Sequence, residues 1–373
     1  MAGFDVIIVG AGIVGCAAAL ECVRAGLRVG IVERAVVGGA ATAAGMGHVV
    51  VMDDSPALLA LTAYSRGLWR DLLSSLPRAV EYESCGTVWV AADDEEMREV
   101  QAKKRVLATV GVVSEILDER GLAEAEPHLR RGLAGGLLVP DDGVIYPPAA
   151  AGYFLEEAVR GGVVALLGNG VTAIKHGCVD LQDGTVHVAD RVLLATGADI
   201  SLLPSLQIHK RKGHLLITDR YPGMVRHQLV ELGYLKSAHS ITADSVAFNV
   251  QPRLTGQLLI GSSRQYGDTD RQVDQRILRR MLERAIEYVP ELKQVSGIRV
   301  WTGFRAATPD NLPLIGPTED PTLHLAMGFE GLGITNAPGA ARLAVDHLLG
   351  RASTIDATPY LPTRVGKREE PHV

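Results

Sequence analysis

The fold is decided near the start of the chain, in the stretch Val6-Ile7-Ile8-Val9-Gly10-Ala11-Gly12-Ile13-Val14-Gly15. Its apolar residues predict a buried parallel strand, and its glycines have the spacing of a dinucleotide-binding turn. Gly10 permits the tight turn, Gly12 admits a pyrophosphate close to the backbone, and Gly15 lets the next helix pack on the strand. The N–H groups that open this helix attract phosphate. The stretch therefore predicts the first strand and helix of a Rossmann-like domain.

Glu33 ends the next predicted strand, residues 27–33, which follows a helix over residues 13–25 that stops at Gly26. A carboxylate at this place accepts hydrogen bonds from ribose hydroxyls and repels a 2′-phosphate. Strand, helix and acidic residue together predict one βαβ nucleotide-binding unit. The motif alone does not separate NAD from FAD.

Composition narrows the class of protein. The 373 residues favour two or three domains, and the formal net charge of −6 argues against a general nucleic-acid binder. The four cysteines form no C-x-x-C pair, so we expect no zinc site and no iron–sulfur cluster, and they fit a reducing compartment. Apolar runs fall short of the ~20 residues of a membrane helix. We therefore expect no transmembrane segment and a cytoplasmic location.

The rest of the pattern predicts a nucleotide domain that is interrupted twice. Helices are expected over residues 55–76, 93–110, 147–160, 270–288 and 335–349. Strands are expected over 80–91, 112–117, 163–194 and 323–328, and a series of antiparallel strands over 211–262. We assign 1–45, 147–204 and 301–352 to the nucleotide domain, 46–146 and 205–300 to an α+β substrate domain built on an antiparallel sheet, and 353–373 to a mobile tail.

Three later motifs add specificity. Ala195-Thr196-Gly197-Ala198 follows an apolar strand, Gly303-Phe-Arg305-Ala-Ala-Thr-Pro-Asp-Asn-Leu-Pro-Leu-Ile-Gly316 lies further on, and Gly328-Phe-Glu-Gly331-Leu-Gly333-Ile-Thr335 precedes a predicted helix. With the first glycine motif and in this order, they resemble the D-amino-acid oxidase and glycine oxidase superfamily of FAD-dependent oxidoreductases. The resemblance covers roughly residues 4–350 and implies a Rossmann-like FAD-binding domain.

The resemblance assigns FAD to the nucleotide site. Residue chemistry agrees, because Thr42 can hydrogen-bond a phosphate and a helix N-terminus after Gly333 can stabilise negative charge on a reduced flavin. The residues expected to contact FAD are Gly10, Gly12, Ile13, Val14, Gly15, Glu33, Arg34, Thr42, Ala43, Gly45, Met46, Val171, Thr196, Gly197, Gly331, Leu332, Gly333, Ile334 and Thr335.

Arg305 is the expected substrate residue, since the resemblance places a carboxylate-binding arginine there and a guanidinium fork matches a carboxylate. Tyr234 and Tyr266 are candidates for a pocket hydroxyl, with packing in the sheet as the alternative. His48 is expected to line the pocket or, as in some relatives, to hold the flavin covalently. His214 is either a pocket residue or a surface residue.

Within the superfamily, residues 43–55 and Leu68-Trp69 are similar to the catalytic subunits of D-hydroxyproline dehydrogenases. This resemblance implies oxidation of the C–N bond of a small D-amino or secondary amino acid, with hydride transfer from Cα to flavin N5. The electrons then pass either to oxygen, as in a glycine or sarcosine oxidase, or to partner subunits that carry a flavin or an iron–sulfur centre. A non-catalytic flavoprotein subunit remains a further alternative. An NAD(P)H-dependent flavin hydroxylase is disfavoured, because its Gly-Asp-Ala-Ala-His-like segment is not found.

Overall fold

A computed structural model describes residues 3–233 and 244–366 of the chain. The helices of these residues are α1 (Ile13–Arg24), α2 (Ala40–Ala44), α3 (Pro56–Leu72), α4 (Asp94–Thr109), α5 (Glu119–Ala125), α6 (Pro147–Arg160), α7 (Gln275–Tyr288) and α8 (Gly333–Leu349). Short 3₁₀ segments occupy Leu73–Ser75, Arg78–Val80, Pro290–Gln294, Thr358–Tyr360 and Pro362–Arg364.

The strands are β1 (Phe4–Val9), β2 (Val29–Glu33), β3 (His48–Val49), β4 (Thr87–Ala91), β5 (Glu115–Asp118), β6 (Gly135–Val139), β7 (Gly143–Val144), β8 (Val164–Leu167), β9 (Val171–Lys175), β10 (Cys178–Leu181), β11 (Val186–Leu194), β12 (His209–Arg220), β13 (Gln228–Glu231), β14 (Ser245–Pro252), β15 (Gln257–Tyr266), β16 (Gly297–Ala307), β17 (Leu314–Pro317) and β18 (Leu323–Met327).

The first sheet has the strand order β17-β18-β11-β1-β2-β8. β1 lies parallel to β2 and β11, and only the edge strand β17 runs antiparallel on this path. Val6 and Ile8 face a core shared with α1, α6 and α8, whereas Ile7 and Val9 face the core next to β9 and β10. A parallel sheet with a glycine turn after β1 confirms the predicted Rossmann-like domain.

The second sheet has the order β16-β12-β15-β14-β13-β4-β6-β5. Its pairs are antiparallel, as predicted, except for β4 with β13, which are parallel. β16 pairs along its length with β12, so residues 301–307 are hydrogen-bonded in this sheet although the sequence assigned them to the nucleotide domain. The division into two domains otherwise stays a prediction.

Two predicted elements are shorter than expected. The strand expected over 80–91 begins at Thr87, because Glu81 and Gly86 adopt left-handed backbone conformations with φ of 50° and 72°. The helix expected from residue 270 begins at Gln275, because the Asp274 side chain accepts hydrogen bonds from the first backbone N–H groups and caps the helix.

The expected mobile tail is wrong for residues 353–366, while 367–373 lie outside the described residues. Tyr360 is 1% exposed, and its hydroxyl donates a hydrogen bond to the Ala57 carbonyl at 2.7 Å. Arg364 pairs with Asp310. The prolines that suggested mobility instead begin two 3₁₀ turns. Among the described residues, no helix has the length and apolar character needed to cross a membrane.

Candidate flavin and substrate site

The turn between β1 and α1 requires glycine at two positions. Gly10 has a φ of 103°, and a Cβ there would lie 2.6 Å from the Ala195 carbonyl oxygen. A Cβ on Gly15 would lie 1.9 Å from the Gly10 carbonyl oxygen. Both distances are far below van der Waals contact, so side chains are excluded where α1 packs against the ends of β1 and β11. This observed packing is the one expected for the turn that binds a dinucleotide.

Thr42 joins α2 to the start of α1. Its Oγ1 accepts a hydrogen bond from the Ile13 backbone N–H at 3.1 Å. Gly12, at the N-cap position, has no side chain that could cap α1. A Cβ on Gly12 would lie 3.3 Å from the same Oγ1. The hydroxyl hydrogen is not used in the bond to Ile13, so Thr42 can still donate to a phosphate at this helix end. Its proposed phosphate contact fits this geometry.

Glu33 points back at the glycine turn. One carboxylate oxygen accepts from the Ala11 backbone N–H and the other from the Ala35 backbone N–H, both at 2.8 Å. Each oxygen keeps a second lone pair for a ribose hydroxyl. The backbone bonds hold the carboxylate at the end of β2, where the predicted ribose contact requires it.

The other residues predicted for the adenosine end lie beside Glu33. Arg34 forms an ion pair with Asp199 at 2.8 Å, and the Thr196 hydroxyl donates to the Asp199 carbonyl at 2.6 Å. The Glu33 carbonyl accepts from the Asn169 N–H, which brings the start of β9, with Val171, next to this end. The structure thus gathers these three segments, and their contact with FAD remains a prediction.

The start of α8 is fixed by side chains from distant parts of the chain. The Thr335 hydroxyl donates to the His48 carbonyl at 2.9 Å and accepts from the Val50 N–H at 3.3 Å. Trp69 donates its indole N–H to the carbonyls of Ile334 and Thr335. No side chain of the described residues caps this helix, and the N–H groups of its first turn, as in any helix, have no intrahelical partner. Such an end can stabilise negative charge on a flavin.

Small residues connect the adenosine end with α8. Ala43 and Gly331 are exposed, and Gly45 packs so closely that a Cβ would lie 2.6 Å from Ile334 Cδ1. Met46 is buried beside Leu215 of the second sheet. From the sequence, we attributed these small side chains to FAD, which has to lie close to the backbone here. The structure adds packing between α2 and α8 as a second reason, and the exposed backbone at Ala43 and Gly331 fits a flavin that passes between them.

Arg305 lies where the second sheet meets the start of α8. Its Nη1 donates to the Ser263 carbonyl at 2.9 Å. A Cβ on Gly331 would lie 3.3 Å from Arg305 Nε, and one on Gly213 would lie 2.7 Å from Nη1. The glycines therefore leave the room that the guanidinium occupies. This position, next to the predicted flavin residue Gly331, suits a residue that holds the substrate against the flavin.

His48 lies in the same region, with its Nε2 buried and without a hydrogen-bond partner among the described residues. Burial and, second, the nearby positive charge of Arg305 lower the pKa of His48 to about 4, although a hydrogen bond with Gln251 opposes the shift. The imidazole is therefore neutral at physiological pH. A neutral, buried and unpaired ring nitrogen fits the predicted pocket role, and the alternative of covalent flavin attachment stays a prediction.

We predict that His48 makes the protein less stable in mild acid. Between the ordinary pKa of 6.5 and the folded value of about 4, the unfolded chain binds a proton that the folded chain does not. Stability is therefore fully present above pH 6.5 and falls as the pH falls towards 4. Thermal melting of the FAD-loaded protein from pH 7.5 to 4.5 should show a shallower fall in Tm for His48→Asn. The exposed His209, changed to Asn, should keep the wild-type slope, and identical slopes for all three proteins would contradict the prediction.

The two predicted tyrosines have different outcomes. Tyr266 lies opposite Arg211 in the β12–β15 pair, and the Arg211 guanidinium lies over its ring at 4.7 Å from the centroid. The tyrosine thus faces the same side of the sheet as Arg305, which also lies opposite Arg211, and its role as a hydroxyl donor stays a prediction. Tyr234 lies outside the described residues.

His214 is neither a surface residue nor a residue of this face. It is fully buried, its Nδ1 lies 3.0 Å from the Ser263 hydroxyl, and its Nε2 accepts from the Asp274 N–H at 3.0 Å. Burial is the largest cause that lowers its pKa. The ring is therefore neutral and supports the start of α7 from the opposite side of β12.

Three charged residues of the site were not found from the sequence. Arg211 pairs with Glu330 at 2.8 Å, and Arg264 lies 4.0 Å from the same carboxylate. Glu330 follows the glycine motif before α8 and has a φ of 52°. A signal was present, because charged residues inside a half-buried strand need a partner or a ligand, but only the strand register brings these three together.

The glycine turn, the carboxylate at the end of β2 and the uncapped start of α8 beside a half-buried arginine define an FAD-dependent oxidoreductase. The chain belongs to the DAO family of FAD dependent oxidoreductases, whose family model matches residues 5–347. It is therefore an FAD-dependent oxidoreductase.

Curated and solved proteins agree with the family. Glycine oxidase of Geobacillus kaustophilus is 27% identical, and the match covers 98% of both chains. D-amino acid dehydrogenase of Rhodopseudomonas palustris is 28% identical over 80% of this chain and 71% of its own length. The crystal structure of the Geobacillus kaustophilus glycine oxidase superposes with a TM-score of 0.86 at 25% identity, covering 97% of this chain and 98% of the other.

Proposed function

We propose that this enzyme oxidises the C–N bond of a small D-amino or secondary amino acid whose carboxylate binds Arg305. The observation that carries the proposal is the position of Arg305. It lies on the sheet face that meets the start of α8, and a Cβ built on Gly331 would contact its Nε. A guanidinium is always charged and presents a fork of donors that matches a carboxylate. D-Proline or hydroxy-D-proline is the substrate type favoured by the sequence.

The chain's own residues position the substrate. Arg305 Nη1 is held by the Ser263 carbonyl, which fixes the direction of the remaining guanidinium N–H groups. A carboxylate bound there places the adjacent Cα near Gly331 and the start of α8. Holding reacting groups in one geometry can supply about 7–11 kcal/mol of a reaction barrier. When bound, FAD would accept the hydride that leaves Cα, with the two electrons of the Cα–H bond.

A protein base is not required in this scheme. A substrate amine that binds in its neutral form loses a hydride from Cα and becomes an iminium ion, which gives the imine when a proton leaves its nitrogen for water. Water hydrolyses the imine, or the imine leaves intact if it is cyclic. His48 is neutral near Arg305, so it adds no charge that would compete with the carboxylate. Its unpaired Nε2 offers a hydrogen-bonding position for the substrate or for water.

The test is reduction of the enzyme-bound flavin without oxygen. We expect D-proline, cis-4-hydroxy-D-proline, D-alanine, sarcosine or glycine to bleach the flavin absorbance of the FAD-loaded enzyme, with the D-proline type fastest. A non-catalytic flavoprotein subunit would keep its oxidised spectrum with every compound. That result would overturn the proposal.

The electron acceptor distinguishes the two enzymatic alternatives. Similarity to glycine oxidase over nearly the whole chain supports an oxidase that reduces oxygen, and similarity to D-amino acid dehydrogenase supports transfer to another acceptor. We propose the dehydrogenase type, with partner subunits that carry a flavin or iron–sulfur centre. With a substrate that bleaches the flavin, dye reduction much faster than peroxide release in air is expected, and stoichiometric peroxide release would favour the oxidase.

A further inference from the structure

We propose that Arg211 and Glu330 are positioning residues, which fix the backbone that leads into α8 and whose opposite charges together set how readily the flavin is reduced. The juxtaposition that carries the proposal is a poorly exposed ion pair between β12 of the second sheet and the segment before α8. The proposal requires that FAD lies at the start of α8. It does not depend on which amino acid the enzyme oxidises.

Glu330 has a backbone conformation that glycine adopts more easily. Its φ is 52°, and the surrounding segment already contains Gly328, Gly331 and Gly333. A left-handed conformation is unfavourable for a residue that carries a Cβ, so surrounding contacts have to support it. Because glycine would fit this backbone better, a glutamate here is explained by what its side chain binds.

Two contacts hold Glu330 against the second sheet. Its backbone N–H donates to the Ala306 carbonyl near the end of β16 at 2.9 Å. Its carboxylate accepts a hydrogen bond from Arg211 Nη1 at 2.8 Å, and the two side chains are only 11% and 9% exposed. The next residue is Gly331, whose Cα side faces Arg305. The ion pair therefore helps to fix the course of the backbone from Gly331 into α8.

Arg211 is itself held by its neighbours in the sheet. It lies opposite Arg305 in the β12–β16 pair and opposite Tyr266 in the β12–β15 pair. Its guanidinium lies over the Tyr266 ring at 4.7 Å from the centroid, a contact that favours one orientation. Arg264 lies 4.0 Å from the Glu330 carboxylate. Since residues that face each other across a strand pair share one side of the sheet, this ion pair lies on the side expected to meet the flavin.

The two charges act on the flavin with opposite signs. Reduction adds negative charge to the flavin, which a nearby cation favours and a nearby carboxylate disfavours. Because both side chains are poorly exposed, water and salt screen them less than they screen surface charges. With Arg211 and Glu330 both present, their contributions largely cancel. Loss of one leaves the other uncompensated, so the two single variants should shift flavin reduction in opposite directions.

The opposite face of β12 provides a matched control. Lys212 follows Arg211 directly, so its side chain points to the other side of the sheet, where it pairs with Asp268 at 2.9 Å. Lys212 is 1% exposed, and this ion pair is also poorly screened on its lysine side. Asp268→Asn thus breaks an ion pair on the same strand but away from the flavin. We expect it to leave flavin reduction unchanged.

The test is anaerobic reduction of the FAD-loaded enzyme in equilibrium with a reference dye of known potential. We expect Glu330→Gln to shift the equilibrium towards reduced flavin and Arg211→Met to shift it towards oxidised flavin, each by at least about threefold in the equilibrium constant. Arg211→Lys keeps the charge and should stay within about twofold of the wild type. The double variant Arg211→Met/Glu330→Gln should also return to within about twofold, because no uncompensated charge remains.

Titration of the apoproteins with FAD tests the positioning role. We expect FAD to bind at least about threefold more weakly to both single variants and to the double variant, a fraction of what a hydrogen bond between charged groups contributes. Asp268→Asn should keep the wild-type affinity. Circular dichroism shows whether each apoprotein folds. Wild-type FAD affinity in the folded double variant would overturn the positioning role.

A pair with a structural role alone gives a different pattern. The two single variants would then shift the dye equilibrium in the same direction or leave it unchanged, and either result would overturn the electrostatic part of the proposal. If Arg211→Met loses its FAD, Glu330→Gln and Arg211→Lys still decide, since an unshifted equilibrium in Glu330→Gln would overturn it. The dye supplies the electrons without an amino acid, so failure of the proposed function would leave this test intact.

Discussion

Gly15→Ala is expected to deprive the enzyme of most of its FAD. The new methyl group would lie 1.9 Å from the Gly10 carbonyl oxygen and 3.3 Å from Ala195 Cβ. Because the contacted atom is backbone, α1 has to move away from β1, and its first N–H groups move away from the phosphate position. Overpacking of this kind costs about 1–3 kcal/mol, which corresponds to a roughly 5- to 140-fold weaker FAD affinity.

The measurement is FAD content after purification, followed by titration of the apoprotein with FAD. Gly152→Ala is the matched control, because Gly152 lies within α6 and a Cβ there meets no atom within 4 Å. It should retain FAD and have an equal or higher Tm, since alanine favours a helix over glycine. Circular dichroism of the apoproteins shows whether Gly15→Ala still folds. Normal FAD affinity in the folded variant would contradict the role given to the turn.

The nucleotide half of the site could be predicted from the sequence because its geometry is local. Gly10, Gly15 and Glu33 lie within one βαβ unit. Each lies at a turn, a helix start or a strand end, and the neighbouring residues in the sequence predict these local elements. Thr335 could be placed in the same way, through the glycines before α8. The contact that fixes it is not local, since its hydroxyl bonds the His48 carbonyl.

The substrate face could be predicted only in part, because strand register decides it. Arg211 and His214 are close in sequence, yet one faces Arg305 and the other faces the start of α7. A shift of one residue in the β12–β16 pairing would exchange the two faces. No local pattern fixes a pairing between strands that lie so far apart in the chain, so the role of Arg211 was missed and His214 was left open.

Side-chain burial explains why the prediction of a mobile tail was wrong for these residues. Residues 353–366 are largely polar and rich in proline, a composition that is typical of a mobile chain terminus. The structure instead buries Tyr360, whose hydroxyl bonds the Ala57 carbonyl in the first turn of α3. A buried tyrosine whose hydroxyl is hydrogen-bonded can hold such a segment in place although most of its residues are polar. Composition alone does not reveal this contact.

Arg305→Ala is expected to raise the substrate KM by roughly 30- to 700-fold. Truncating one partner of a buried hydrogen-bonded charge pair costs about 2–4 kcal/mol, and here the unpaired partner is the substrate carboxylate. If the arginine mainly binds the ground state, KM rises and kcat changes little. Steady-state kinetics with an amino acid that bleaches the flavin measure both constants. Arg305→Lys should give an intermediate KM, because it keeps the charge and loses the fork.

Arg299→Ala provides the matched control for this change. Arg299 lies on the same strand as Arg305, but it is exposed and lies over the Trp301 ring, so its loss should leave KM within about twofold of the wild type because exposed substitutions away from a site have small effects. An unchanged KM in Arg305→Ala would remove the carboxylate-binding role. A loss of bound FAD in that variant would instead mean that the guanidinium, which lies against Gly331, supports the flavin position. Measuring FAD content beside KM therefore separates a substrate residue from a positioning residue.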